Sequence, residues 1–124
     1  MKTDALSRRA AFLRGKRAER LAAWWLRLHG YRILATGWQS RLGEIDLIAA
    51  RGDLVAFVEV KRRDDLEVGL RAISLRQRER IARAARLYMQ EHPELEGRSF
   101  RFDALVLSPR RMPRYVVDAW RAGR

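Results

Sequence analysis

Charged residues interrupt two otherwise apolar runs of this 124-residue chain: Glu44 and Asp46 in Gly43-Glu44-Ile45-Asp46-Leu47-Ile48-Ala49, and Glu59 and Lys61 at the far end of the run from Leu54 to Lys61. The first run alternates with the period of a strand, the second is almost continuously apolar, and Arg51-Gly52-Asp53 between them supplies a turn. Residues two apart on a strand share a face, so Glu44 lies with Asp46 and Glu59 with Lys61. A hairpin register that brings the strand ends together makes Asp46, Glu59 and Lys61 converge. Carboxylates at the edge of an apolar sheet repel one another and lose hydration unless a cation lies between them or one is protonated. A hard divalent ion suits such oxygen ligands; Mg²⁺ is the expected cofactor and Mn²⁺ the alternative. Such an ion polarises a phosphodiester and lowers the pKa of an attacking water. Lys61 could orient or deprotonate that water, or steady charge developing on the phosphate. The implied chemistry is metal-assisted hydrolysis of a phosphodiester. A lone Glu-x-Lys on a strand is more often a solvated ion pair. Asp46 and Glu59, however, both interrupt hydrophobic strands, where charge is seldom buried without a partner or a metal.

The elements that must position these residues follow from apolar periodicity. From Arg8 to Leu28 the residues Ala18, Leu21, Ala22, Trp25 and Leu26 form an amphipathic helical stripe, closed by His29 and Gly30, and Tyr31 to Leu34 begins an extended segment. Arg62 to Gly69 is polar and reads as a mobile loop. A second helix is expected from about Leu70 to Glu91, with Ile81, Ala84, Ala85, Tyr88 and Met89 inward and His92-Pro93 as its stop. Phe100 to Leu107 alternates as a strand, Ser108 to Pro113 reads as a turn, and Tyr115 to Val117 is a short last strand before Asp118-Ala119-Trp120 closes the core. The order helix, strand, strand, strand, helix, strand, strand predicts an α/β fold with a mixed central sheet flanked by helices. One domain over residues 1–124 fits the length, with 1–7 expected to be disordered.

Composition narrows the partner. The absence of cysteine excludes disulfides, thiolate nucleophiles and cysteine-bound metal, and fits a cytoplasmic location; no run reaches the length of a membrane span, so no membrane is expected. The 27 basic residues against 15 acidic ones give a net charge of +12, which makes a polyanion, foremost nucleic acid, the natural partner. Of the basic residues only Lys2, Lys16 and Lys61 are lysine, so a lysine retained inside an apolar segment is informative.

Taken together, Gly15-Lys16-Arg17-Ala18-Glu19, Gly30-Tyr31, Gly43 to Ala49 and Phe57-Val58-Glu59-Val60-Lys61-Arg62-Arg63 resemble the successive motifs of the bacterial YraN family. That family is similar to archaeal Holliday-junction resolvases and carries the restriction-endonuclease-like fold of PD-(D/E)xK nucleases. The resemblance covers roughly residues 12 to 120, including Phe100-Arg101-Phe102-Asp103 and Asp118-Ala119-Trp120. It implies that Asp46 and Glu59 bind the metal with the Val60 carbonyl as a further ligand, that Lys61 is the motif lysine, and that Glu19 approaches the same centre from the first helix. Glu44 either assists the metal or pairs with Arg41. Two positions depart from the pattern: Arg76 stands where relatives tend to carry lysine, and Trp38 lies near a favoured asparagine.

Six arginines between positions 71 and 86, together with Arg62 and Arg63, provide a cationic surface, and Arg62, Arg63, Arg76, Arg80 and Arg83 are the expected phosphate contacts. No base-reading motif is visible, so backbone or shape recognition is expected. Trp25 belongs to the helical stripe; for Trp24, packing, base stacking and a dimer contact all stand open. His29 and His92 read as helix-end residues outside the site. The leading expectation is a Mg²⁺-dependent endonuclease acting on DNA, with branched or otherwise structured DNA suggested by the resolvase resemblance. Cutting two strands would call for a homodimer. A non-catalytic nucleic-acid-binding module of the same fold is the alternative, and a small basic protein bound to an assembly is a third reading that leaves the strand carboxylates unexplained.

Overall fold

The computed structural model describes the backbone of residues 2–121 and the side chains of residues 15–121. The first helix, α1, spans Lys2–Leu28. It ends where Gly30 adopts φ +86° and the Tyr31 amide donates back to the Leu26 carbonyl at 2.9 Å, a glycine-dependent helix stop. Strands β1 (Arg32–Ser40), β2 (Gly43–Arg51) and β3 (Leu54–Arg62) then form an antiparallel meander, the second hairpin closing through Gly52 at φ +58°.

Two helical pieces replace the expected loop and single helix. The strand β3 runs on to Arg62, and α2 (Leu66–Arg71) follows, started by Asp65, whose carboxylate accepts the Val68 amide. A break at buried Ile73 precedes α3 (Leu75–Glu91), started by Ser74, whose hydroxyl accepts the Gln77 amide. The polarity of residues 62–69 points to a loop; the acidic residue at the cap position and the plug at Ile73 are what divide strand from helix and helix from helix. Buried Gly69 lets α2 approach β4 closely, since a Cβ there would stand 2.9 Å from both Val106 methyls.

After a short 3-10 turn (Pro93–Leu95), β4 (Ser99–Ser108) pairs parallel with β3, and β5 (Arg111–Trp120) pairs antiparallel with β4. The sheet order is β1-β2-β3-β4-β5. The last strand is longer than expected because Pro113, which reads in sequence as the end of a turn, sits on an edge strand, where a missing N–H is tolerated.

Helices cover both faces of this mixed sheet, which is why β3 and β4 are apolar on both sides. On one face α3 packs Ile81, Ala84, Ala85 and Tyr88 over Ile45, Ile48, Phe57 and Phe102; on the other α1 packs Ala18, Ala22, Ala23 and Leu26 over Leu47, Val58 and Leu105. The buried arc of α1 differs from the expected stripe: Leu21 is exposed and Ala23 is buried. At ~100° per residue this rotation puts Glu19 near the middle of the buried arc. Small residues on this arc let the helix lie close to the sheet.

One carboxylate is wholly buried for structural reasons. Asp103 holds Arg101 through two bonds of 2.7 and 2.8 Å, accepts the Tyr115 hydroxyl, and accepts the Asp118 amide at 2.9 Å where Asp118 takes φ +55°. Arg101 also donates to the Tyr31 hydroxyl. The Asp103 charge is thereby compensated inside the fold, and it fixes β5 onto β4.

Candidate active site

The β2–β3 ladder runs from Arg51↔Leu54 to Leu47↔Val58 and stops, although both strands continue. At that point face alternation slips: Ile45 and Ile48 belong to the α3 side, Leu47 to the α1 side. The irregularity falls at Asp46. Its Oδ2 accepts the Val60 amide at 2.8 Å, so a side-chain carboxylate takes over an amide that the ladder no longer pairs. Strand divergence and the fixing of Asp46 are one event.

Around Asp46 lie two groups of side chains. Toward α1, Glu19, Glu44 and Asp46 bring carboxylate oxygens within 4.8 Å of one another. Desolvation raises the pKa of Glu19, with nearby Lys16 opposing this and Asp46 and Glu44 reinforcing it. Beneath them is Gly37 at φ +56°; a Cβ there would stand 3.2 Å from Glu19 Oε1 and 3.6 Å from Glu44 Oε1, so glycine makes room for the cluster. Toward α3, Glu59 is buried and its Oε2 accepts from Lys61 Nζ at 3.1 Å and from Gln77 Nε2 at 2.6 Å. Burial, followed by repulsion from Asp46, pushes the Glu59 pKa up to about 8, and Lys61 opposes the rise.

Asp46, Glu59 and Lys61 therefore meet at one end of the hairpin, joined by Glu19. Glu44 lies with the cluster and, among the described residues, forms no ion pair with Arg41. Val60 meets the site through its amide. Arg62 and Arg63 follow on the exposed surface, with the Arg63 guanidinium turned to the Arg62 carbonyl. Arg76, Arg80 and Arg83 are exposed on α3, and Arg80 lies against Gly43 at the start of β2.

Sequence patterns assign no role to Gly37 or Gln77. A positive φ at Gly37 leaves no mark in composition. Ser74-Leu75-Arg76-Gln77 has the spacing of a helix-capping box, in which the glutamine would reach back to the cap amide; here it turns to Glu59 instead. The histidines are structural: His29 Nδ1 lies 2.7 Å from the Trp25 carbonyl and His92 Nδ1 2.8 Å from that of Tyr88, each ring stacked on the same aromatic partner.

Three carboxylates in mutual reach beside a fourth are a donor set suited to a hard divalent cation. The fold itself has a known counterpart: Hjc of Archaeoglobus fulgidus, described as a Holliday junction resolvase from an archaeal hyperthermophile, superposes with a TM-score of 0.57 over 82% of this chain and 73% of that one, at 20% identity. The likeness establishes the α/β fold, a mixed five-stranded sheet flanked by helices. Among relatives in sequence, a UPF0102 protein of Paramagnetospirillum magneticum is 52% identical over 116 residues, 90% of each chain. Another, from Nitrobacter winogradskyi, is 47% identical over 113 residues, 91% of this chain and 96% of the relative. With residues 18–107 matching the family described as uncharacterised protein family UPF0102, the chain belongs to that family, the YraN family whose motifs its sequence resembles.

Proposed function

We propose that the chain is a metal-dependent endonuclease that hydrolyses phosphodiester bonds in DNA. The observation that carries this reading is the meeting of Asp46, Glu59 and Lys61 with Glu19 and Glu44 where the β2–β3 ladder ends. The fold shared with Hjc supports it.

In this reading Asp46 and Glu59 hold Mg²⁺, or Mn²⁺, with Glu19 and Glu44 alongside and the Val60 carbonyl as a further ligand. When bound, the cation supplies positive charge to the phosphate and lowers the pKa of the attacking water. Every other step belongs to the chain. The Val60 amide fixes the Asp46 carboxylate in place before any ligand arrives. Burial, with repulsion from Asp46, favours the protonated form of Glu59 in the metal-free chain, so ligation of a cation there would favour release of that proton. Lys61, at 3.1 Å from Glu59, orients the water or takes its proton and steadies charge on the phosphate. Arg62, Arg63, Arg76, Arg80 and Arg83 receive neighbouring phosphates, which positions a strand without reading its sequence.

The test is cleavage of labelled duplex, single-stranded, flap and four-way-junction DNA with Mg²⁺, Mn²⁺ or EDTA, alongside Asp46→Asn. Metal-dependent cutting that disappears in the variant supports the proposal and ranks the substrates. Binding without cutting under every condition favours a non-catalytic module of the same fold.

A further inference from the structure

Among the described residues of α1, one outward stripe is apolar where a surface helix is ordinarily polar. Leu21, Trp24 and Leu28, at the i, i+3, i+7 spacing of one helix face, are 61%, 62% and 75% exposed. Trp24, whose role the sequence leaves open, is thus excluded from the core, while its neighbour Trp25 stacks on Tyr115 with ring centres 4.9 Å apart. Two grooves meet at the Trp24 side chain. One, of about 480 Å³, lies between Leu21, Trp25, Leu28, Pro109 in the turn after β4 and Pro113 on β5, with Arg17 and Arg62 also lining it. The other, of about 390 Å³, runs from Trp24 past Arg20 and Arg27 to Lys16 and Glu19, and so to the carboxylate cluster. A third hollow shares Arg62 and Pro109 with the first and continues to Lys61. The exposed indole therefore borders one groove that reaches Glu19, and the apolar groove on its other side adjoins, at Arg62, the hollow at Lys61.

Charge decides what occupies this ledge. A second copy of the chain would bring Arg17, Arg20, Arg27 and Arg62 against the same four arginines across a two-fold axis, and like charges facing one another oppose that pairing. A nucleic-acid strand offers the complementary pair of features: a flat base for the indole and phosphates for the arginines beside it. Bases paired in a duplex are stacked on one another and offer no free face to a side wall, so the ligand chemistry is that of an unpaired nucleotide.

We propose that Trp24 and the apolar groove beside it form a subsite for an unpaired nucleobase adjoining the strand bound at the active centre, with Arg17 and Arg62 on its flanking phosphates. This rests on the reading of the chain as a DNA-acting nuclease and narrows its substrate to DNA with an unpaired segment next to the cut. Stacking of one base contributes about a tenfold gain in affinity.

The experiment uses the full chain in EDTA, where binding is read without cutting, and measures fluorescence anisotropy with a labelled oligothymidylate and a blunt duplex. Trp24→Ala is expected to weaken oligothymidylate binding about tenfold, leave duplex binding within about twofold, and leave the salt dependence unchanged, because every arginine that meets a phosphate is still in place; Trp24→Phe restores most of the affinity. Because the side chain is largely exposed, the variant keeps its thermal midpoint. Equal oligothymidylate affinity for the parent and Trp24→Ala overturns the subsite. So does loss of self-association in sedimentation with binding unchanged, which assigns the face to a second copy. Parallel cleavage assays in Mg²⁺ separate the two readings: cutting with a silent Trp24→Ala removes the subsite alone, and a Trp24-dependent affinity without any cutting removes the nuclease alone.

Discussion

Asp46 has two jobs that substitution can separate. Its Oδ2 accepts the Val60 amide, and its carboxylate borders both Glu19 with Glu44 and Glu59. Asp46→Asn keeps an acceptor for Val60 and should retain the fold while losing metal binding. Asp46→Ala also strands the amide, at a cost of about 1–3 kcal/mol, so a lower thermal midpoint for alanine than for asparagine is the expected order. Glu59 carries the pH dependence. Its pKa in the folded chain, about 8, lies above the 4.5 of an unperturbed glutamate, so between those values the folded state holds a proton that the unfolded state has released. Metal-free stability should therefore fall as pH rises from about 5 to about 8 and level off above, and Glu59→Gln should remove that component of the slope in thermal melts in EDTA. At this scale the sequence is most informative for Asp46, Glu59 and Lys61, because charge inside apolar strands is visible in one dimension. It is silent on Gln77 and Gly37, whose roles come from which neighbour a side chain faces and from a backbone angle.

The placement of these side chains is set by close approaches of helix to sheet. Gly69 permits α2 to lie on β4, and Gly69→Ala, with its Cβ 2.9 Å from Val106, should lower stability by about 1–3 kcal/mol in chemical denaturation. Ser74 starts α3 and so sets where Gln77 meets Glu59. Removal of that cap in Ser74→Ala should cost about 1 kcal/mol and loosen Gln77 from the glutamate. The element order, the β2–β3 hairpin and the helix stop at Gly30 are legible from periodicity and turn residues. Three features are not. The division of the second helix depends on tertiary burial of Ile73, the length of β5 on Pro113 lying at a sheet edge, and the rotation of α1 on helix–sheet packing made through Ala18, Ala22, Ala23 and Leu26, with Leu21 left outside. Each is decided by what packs against the segment.

Across the molecule, carboxylates gather at one end of the hairpin while the net charge is +12, so the proposed function assigns attraction to a polyanion and the capture of a cation to different parts of one small surface. Replacing Arg76, Arg80 and Arg83 together by alanine should weaken DNA binding and reduce its log–log salt slope by up to about 0.9 for each phosphate that is no longer neutralised, measured in EDTA with duplex DNA. No described helix is long and apolar enough to cross a membrane. The central claim, that Asp46 organises a divalent-cation centre, can be tested without knowing the substrate. Calorimetric titration of Mn²⁺ into the full chain at a pH near 8, compared with Asp46→Asn, should give saturable binding that the variant lacks while both melt cooperatively. Equal heats of binding for the two proteins would contradict the account.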